Sequence, residues 1–238
     1  MTPIEIPHEI DRFVLYFDTP ERRVNAYALA SSLIGLADAI REANTVVNPG
    51  YSVEVVVEAL PDGSFQAVVR TVFSKVKNLF SNEAVKAIVY GIIATYIYDG
   101  MFKNDTPPQV TVDQHSVVIT HGKDRIIVPR DVYEAKRLLE KSARFESAIG
   151  QVFHGAATDT TVQGIGLKPR PDHDRPPIYV PREQFACFDS RSGELEDGRE
   201  IVEIANLEIS RAILERGNRR WEFYWRGIKI AAPVLGKV

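Results

Sequence analysis

One cysteine, Cys187, is the whole thiol content of this 238-residue chain. A lone thiol excludes an intrachain disulfide framework and every multi-thiolate metal centre. Charge of one sign is also lacking: 29 basic and 32 acidic residues leave a net −3, so the overall balance does not advertise nucleic acid or an anionic membrane. Glycine and proline, at 15 and 14 residues, are too few for a collagen-like or wholly disordered chain. The start, Met1 to Asp11, carries Glu5, Glu9 and Asp11 in place of the basic and apolar regions of a secretory signal. The expected compartment is the reducing cytoplasm. No fixed-period repeat is present.

Long hydrophobic runs are scarce too. The longest is AVKAIVYGIIATYIY, Ala84 to Tyr98, interrupted by Lys86 and bracketed by Glu83 and Asp99. As a helix it spans roughly 22 Å, against about 30 Å of bilayer hydrocarbon. A buried helix is the better reading, with an oligomer-facing or membrane-inserting helix as the alternatives. Ile88, Ile92 and Tyr96 recur every fourth residue and are the candidate core or oligomer positions.

What is present reads as α+β. FVLYF, Phe13 to Phe17, is a strand halted by Asp18-Thr19-Pro20. From about Val24 to Ala43 apolar residues recur at three- and four-residue steps, the period of an amphipathic helix. Ser31 and Gly35 lie one turn apart and would let another element approach closely. Val53, Val55 and Val57 alternate with Glu54, Val56 and Glu58, a strand covered mainly on one side. Pro61-Asp62-Gly63-Ser64 is turn chemistry, and Phe65 to Phe73 returns as the partner strand. The unit is β-α-β-β, followed by a long apolar helix within Ser74 to Met101.

Next comes a small meander over Val110–Val112, Ser116–His121 and Arg125–Val128. A second long helix follows, with Asp131 as N-cap and Glu134 completing a capping box. Leu138, Leu139, Phe145, Ile149, Val152 and Phe153 mark its buried side. Ala156 to Pro181 shows no sustained period. Lys168 to Pro177 is the most linker-like decapeptide, stiffened by prolines. An antiparallel, aromatic-rich C-terminal sheet closes the chain: Ile201 to Leu214, then Trp221, Phe223 and Trp225 alternating with Glu222, Tyr224 and Arg226, then Ile228 to Val234. The expected domains are residues 1–104, an α+β domain; 105–181, meander, helix and Pro-rich linker; and 182–238, a small β module. Three strands make a small core with open edges. We expect the preceding domain or a protein partner to complete that sheet, or the chain to be part of a longer protein.

Motif chemistry is thin. Gly164-Ile165-Gly166 lacks the strand-to-helix context and third glycine of a dinucleotide loop, and Gly122-Lys123 lacks the rest of a P-loop. His115 and His121 lie roughly 20 Å apart along an unbent strand, too far to share an ion. Asp172-His173-Asp174 places three potential ligands together between prolines, where a solvated loop is the simpler reading. Cys187 sits between Ala186 and Phe188, an apolar setting for an inert thiol. Glu54 and Glu58 stand roughly 13 Å apart on one strand face, outside glycosidase geometry. His8 and His154 are isolated. No catalytic residue, metal ligand or cofactor is assigned.

The ends differ in charge. Residues 1–60 carry nine acids and four bases, and residues 211–238 carry seven bases and two acids. Arg216, Arg219, Arg220 and Arg226 beside Trp221, Phe223, Tyr224 and Trp225 are the candidate nucleic-acid contacts, by charge and stacking. The same alternation makes Trp221, Phe223 and Trp225 the core of a small sheet, which is the preferred reading. Opposite charge at the two ends also suits assembly of identical chains.

LYFDTPERRV at Leu15 to Val24, PDGSF at Pro61 to Phe65 and WEFYWRGIKIAAPV at Trp221 to Val234 resemble stretches of uncharacterised bacterial and prophage proteins. The resemblance spans both ends of the chain and implies no catalytic residues. The expectation is a non-catalytic binding or assembly protein, a homo-oligomer, in a phage-related or host-defence complex. The alternatives are a nucleic-acid-binding module using the basic tail, a membrane-acting protein using residues 84–98, and a metal-dependent hydrolase using Asp172 to Asp174.

Overall fold

The computed structural model describes residues 3–10, 12–20, 23–58, 66–73, 82–102, 107–171, 175–188, 208–211, 221–225 and 228–232. The chain divides into two compact units, Met1–Glu194 and Leu195–Val238. The class is α+β, with four α-helices, one 3₁₀ helix and three sheets among the described residues.

In the first unit the larger sheet holds β2 (Phe13–Asp18), β3 (Val53–Glu58), β4 (Gln66–Phe73), β8 (Gly164–Lys168) and β9 (Ile178–Pro181), in the order β3-β4-β2-β8-β9. Every pairing is antiparallel. Alternation sends Phe13, Leu15 and Phe17 of β2, Val69 of β4, and Ile165 and Leu167 of β8 into one apolar core.

Helix α1 (Ala26–Val47) follows β2. The Asn25 side-chain oxygen caps it, accepting from Tyr27 N–H at 2.9 Å and Ala28 N–H at 3.4 Å. Its buried stripe runs through Ala28, Ser32, Gly35, Leu36, Ala39, Ile40 and Ala43, the three-and-four spacing of a one-sided helix. Gly35 lets α4 (Ala143–Ala157) approach closely: a Cβ there would lie 2.7 Å from Ala148 O and 2.8 Å from Val152 N. Gly155 of α4 mirrors it against Ser31 and Ser32. Buried Ser32 Oγ donates to Val152 O at 2.8 Å, tying the two helices at that crossing.

Helix α2 (Asn82–Met101) is buried nearly all round, including Val85, Val89, Tyr90, Ile92, Ile93, Ile97 and Tyr98. A helix apolar on every side belongs inside a protein or a bilayer. Here it packs on α1, on α3 (Arg130–Leu139) and on elements of both sheets of the unit. Among the described residues no helix is long and apolar enough to cross a membrane.

The smaller sheet of this unit has the order β1-β7-β6-β5, from β1 (Ile4–Glu5), β5 (Gln109–Val112), β6 (Ser116–His121) and β7 (Asp124–Pro129). β1 runs parallel to β7; the rest is the expected antiparallel meander. Gly122, with φ +59, opens the two-residue turn between β6 and β7, where a hairpin needs positive φ.

Several expectations are corrected. The second long helix is two helices, α3 and α4. Pro129, without a side-chain bond, stands at the start of α3, and Asp131 lies inside it, accepting from Val132 N–H. Ser142 Oγ accepts from Phe145 N–H at 3.2 Å and starts α4 afresh; a serine hydroxyl competes with the helical backbone and favours a cap. Leu138 is 65% exposed, whereas Leu139 is buried. The stretch from Ala156 to Pro181 contains β8, buried at all five residues between β2 and β9. Finally, the Pro-rich decapeptide joins two paired strands, β8 and β9. Pro176 lies over Gly166, Lys168 Nζ donates to Pro171 O at 3.3 Å, and Tyr179 passes over Gly164. Both glycines of the GIG fragment are thus bare because side chains cross them.

In the second unit, β10 (Glu208–Arg211), β11 (Trp221–Trp225) and β12 (Ile228–Ala232) form an antiparallel sheet in sequence order. β11 is the middle strand, in register from Trp221↔Ala232 to Trp225↔Ile228.

Candidate functional site

A set of titratable side chains gathers where α2 ends. Asp99 lies on the last turn of α2, Lys136 and Glu140 at the end of α3, and His121 at the end of β6. The buried Lys136 ammonium bonds Asp99 Oδ2 and stands 2.6 Å from Glu140 Oε1. Burial pulls its pKa down, but the two carboxylates outweigh that and hold it above the ordinary lysine value. His121 Nε2 stands 3.4 Å from Asp99 Oδ1. Its ring stacks on Phe102, centroids 4.5 Å apart, and meets Tyr98 edge-on. Among the described residues His121 Nδ1 and the Tyr98 hydroxyl are buried without a hydrogen-bond partner. Burial, with the nearby carboxylates of Asp124 and Asp99, raises the Tyr98 pKa.

Chemically this group is a clasp. A nucleophilic or basic lysine needs a depressed pKa, and Lys136 has the opposite. Its two carboxylates are engaged in holding it. The clasp fastens α2, α3 and β6 together.

Two further polar groups act likewise. Asp159 accepts from Asn25 N–H at 2.6 Å, Thr161 N–H at 2.9 Å and Thr161 Oγ1 at 2.7 Å. Led by the Asn25 bond, these hold its carboxyl below the usual value of 3.8. Arg182 donates to the carbonyls of Ala157, Asp159 and Val162 at 2.7 to 2.9 Å, closing the carbonyl end of α4. On the outer face of the larger sheet, Tyr179 donates to Asp18 at 2.8 Å, and the buried Lys168 ammonium lies 5.6 Å from the Tyr16 ring centroid.

One open feature of the first unit is β5. Val110 and Val112 pair with Ile119 and Val117, so they lie on the sheet's core-facing side. Ile119 and Val117 are fully covered, yet Val110 and Val112 are 41% and 55% exposed. Among the described residues β5 is also an edge strand, paired only with β6. Asp113 N–H donates to Ser116 O at 2.8 Å across the β5–β6 turn. Antiparallel alternation then turns the N–H and C=O of Thr111 toward β6, and those of Val110 and Val112 out of the edge.

Of the positions expected from sequence, Ile92 is fully buried, and Ile88 and Tyr96 are half-buried against the same core. Glu54 and Glu58 lie on the outer face of edge strand β3, where Glu58 pairs with Arg12 at 3.0 Å and Arg70 at 3.3 Å. Cys187 is half-buried in the 3₁₀ helix Arg182–Phe188. His8 and His154 are exposed, and His115 lies in the β5–β6 turn. Arg216, Arg219, Arg220, Arg226 and the Asp172-His173-Asp174 triplet lie outside the described residues. Among the described residues no group of three His, Cys, Asp or Glu side chains could hold a metal ion.

Sequence reasoning missed Asp99, His121, Lys136 and Glu140 as a group. The one local signal is Lys136 and Glu140 at helical spacing i,i+4; the other two are joined only by tertiary packing.

No family model, curated protein or solved structure matches this chain.

Proposed function

We propose that this chain is a non-catalytic binding and assembly protein that associates with copies of itself. The observation that carries this reading is the bare edge of β5. Its two valines continue the core-facing side of a sheet, yet among the described residues they are left 41% and 55% exposed. Strand edges of this kind are pairing templates that proteins ordinarily blunt. The polar clusters support the same reading, because Lys136, Asp159 and Arg182 are all engaged in holding elements of the fold together. The setting we propose is a cytoplasmic, phage-related or host-defence complex, on the resemblance carried by Leu15–Val24, Pro61–Phe65 and Trp221–Val234.

Sedimentation of the full chain tests the reading. We expect a reversible, concentration-dependent oligomer. A monomer at every concentration from micromolar to sub-millimolar overturns it. Filter binding with oligonucleotides addresses the basic tail in parallel. Affinity that falls steeply with salt and is lost in the Arg219→Ala/Arg220→Ala variant would put nucleic acid first.

A further inference from the structure

We infer that two copies of this chain join edge to edge through β5, antiparallel about a two-fold axis at Thr111. The inference rests on the assembly reading above and names the surface that carries it.

The backbone dictates the register. Val110 and Val112 present their N–H and C=O groups to the open edge, as the Asp113–Ser116 bond requires. When Val110 faces Val112 of the second copy, each pair exchanges two hydrogen bonds, and symmetry doubles them. Thr111 then faces its own copy as a non-hydrogen-bonded pair on the axis. Sliding one step toward the N-terminus sets Val112 against Pro108, which has no N–H to give. Sliding the other way sets Val110 against Gln114, in the turn between β5 and β6. The register centred on Thr111 is the one that uses every outward group of the two valines.

The side chains agree. Val110-Thr111-Val112 reads the same in both directions, so two-fold pairing sets valine opposite valine and threonine opposite threonine, both favourable cross-strand pairs. The four valines form one strip continuous with Val117 and Ile119 on each side. Gln109–Val112 carries no charge, so the axis brings no like charges together. Edge strand β3 of the larger sheet carries charge on its outer face, Glu54 together with Glu58 held by Arg12 and Arg70, and charged side chains blunt an edge. β1, with two residues, is too short to pair well. A pairing of four-residue strands is small beside a standard interface, so the dimer is weak and concentration-dependent.

The experiment uses the full chain with Cys187→Ser, to remove the native thiol, and adds Thr111→Cys or, separately, Val110→Cys. Non-hydrogen-bonded antiparallel partners have Cα atoms about 4.5 Å apart, within disulfide range. Under mild oxidation Thr111→Cys should give a covalent dimer quickly. Val110→Cys, whose counterpart would be Val112, should give little. Val110→Lys should be monomeric where the parent is dimeric, with its melting temperature kept. If the parent is dimeric but Thr111→Cys links no faster than Val110→Cys and Val110→Lys stays dimeric, the surface is wrong and the assembly reading stands. If the parent is monomeric throughout and Thr111→Cys links no faster than Val110→Cys, both fall.

Discussion

The two sides of the four-stranded sheet carry nearly the same residues and meet opposite fates. Val117, Ile119, Ile126 and Val128 on β6 and β7 are fully buried, while Val110 and Val112, next in line on the same face, lie open. Residue type and alternation are equal on the two sides; what differs is the layer above them. α2 and α3 cover β6 and β7 and are clasped there by Lys136. Over β5 the described residues leave Val110 and Val112 41% and 55% exposed. Burial is thus decided by what a tertiary neighbour covers, and the uncovered remainder is where association is sought.

The covering helix should be the most sensitive part. Ile92→Asp strands a carboxylate where no water reaches, a cost of several kcal/mol unless it is neutralised. We expect loss of the cooperative melt or precipitation; a soluble variant with an unchanged melting temperature would break the comparison at its root.

The clasp comes next. Lys136→Met leaves Asp99 without its ammonium partner, and removing one member of a buried pair costs roughly 3 to 5 kcal/mol. Urea denaturation should show a midpoint lowered accordingly. An unchanged midpoint would mean that α3 is held over β6 by apolar packing alone.

The sharpest form of the comparison is one substitution made on both sides. Val117→Thr buries a hydroxyl under α3 and should cost roughly 1 to 3 kcal/mol. Val112→Thr, on the bare strand, should change monomer stability by less than about 0.5 kcal/mol. Equal losses in chemical denaturation of dilute protein would mean β5 is covered after all.

The helical layer over the larger sheet supplies a smaller test with a pH signature. The carboxyl of Asp159 is depressed in the folded state, chiefly by the Asn25 N–H bond. Its ionised form therefore stabilises the fold above the ordinary carboxylate pKa, and that contribution disappears as pH falls through the lower folded value. Asp159→Asn should cost about 1 kcal/mol at neutral pH. The gap from the parent should close in acid. A gap that is constant with pH would assign the loss to packing.

The strand Phe13–Phe17, the amphipathic helix α1, the meander and the sequence order of the C-terminal strands were legible from periodicity and turn residues, because those signals are local. The small residues Ser31 and Gly35 also announced a close approach, and α4 makes it. The break between α3 and α4 was hidden because Leu139 and Phe145 suit one helix as well as two, and a single serine hydroxyl decides. β8 was hidden because Gly164 and Gly166 read as loop residues; only Tyr179 and Pro176 crossing above them show why a buried strand has no side chains there.

The sequence by itself determined the class of the fold, the interior character of Ala84 to Tyr98, and the exclusion of intrachain disulfides and multi-thiolate metal centres, since composition and period need no partner to be read. Tertiary structure alone decided the clasp of Asp99, His121, Lys136 and Glu140, the role of the Pro-rich segment, and the contrast between covered and bare valines. Charge pairing and burial depend on distances between residues far apart in the chain, and no local pattern encodes which of two equal valines a helix will cover.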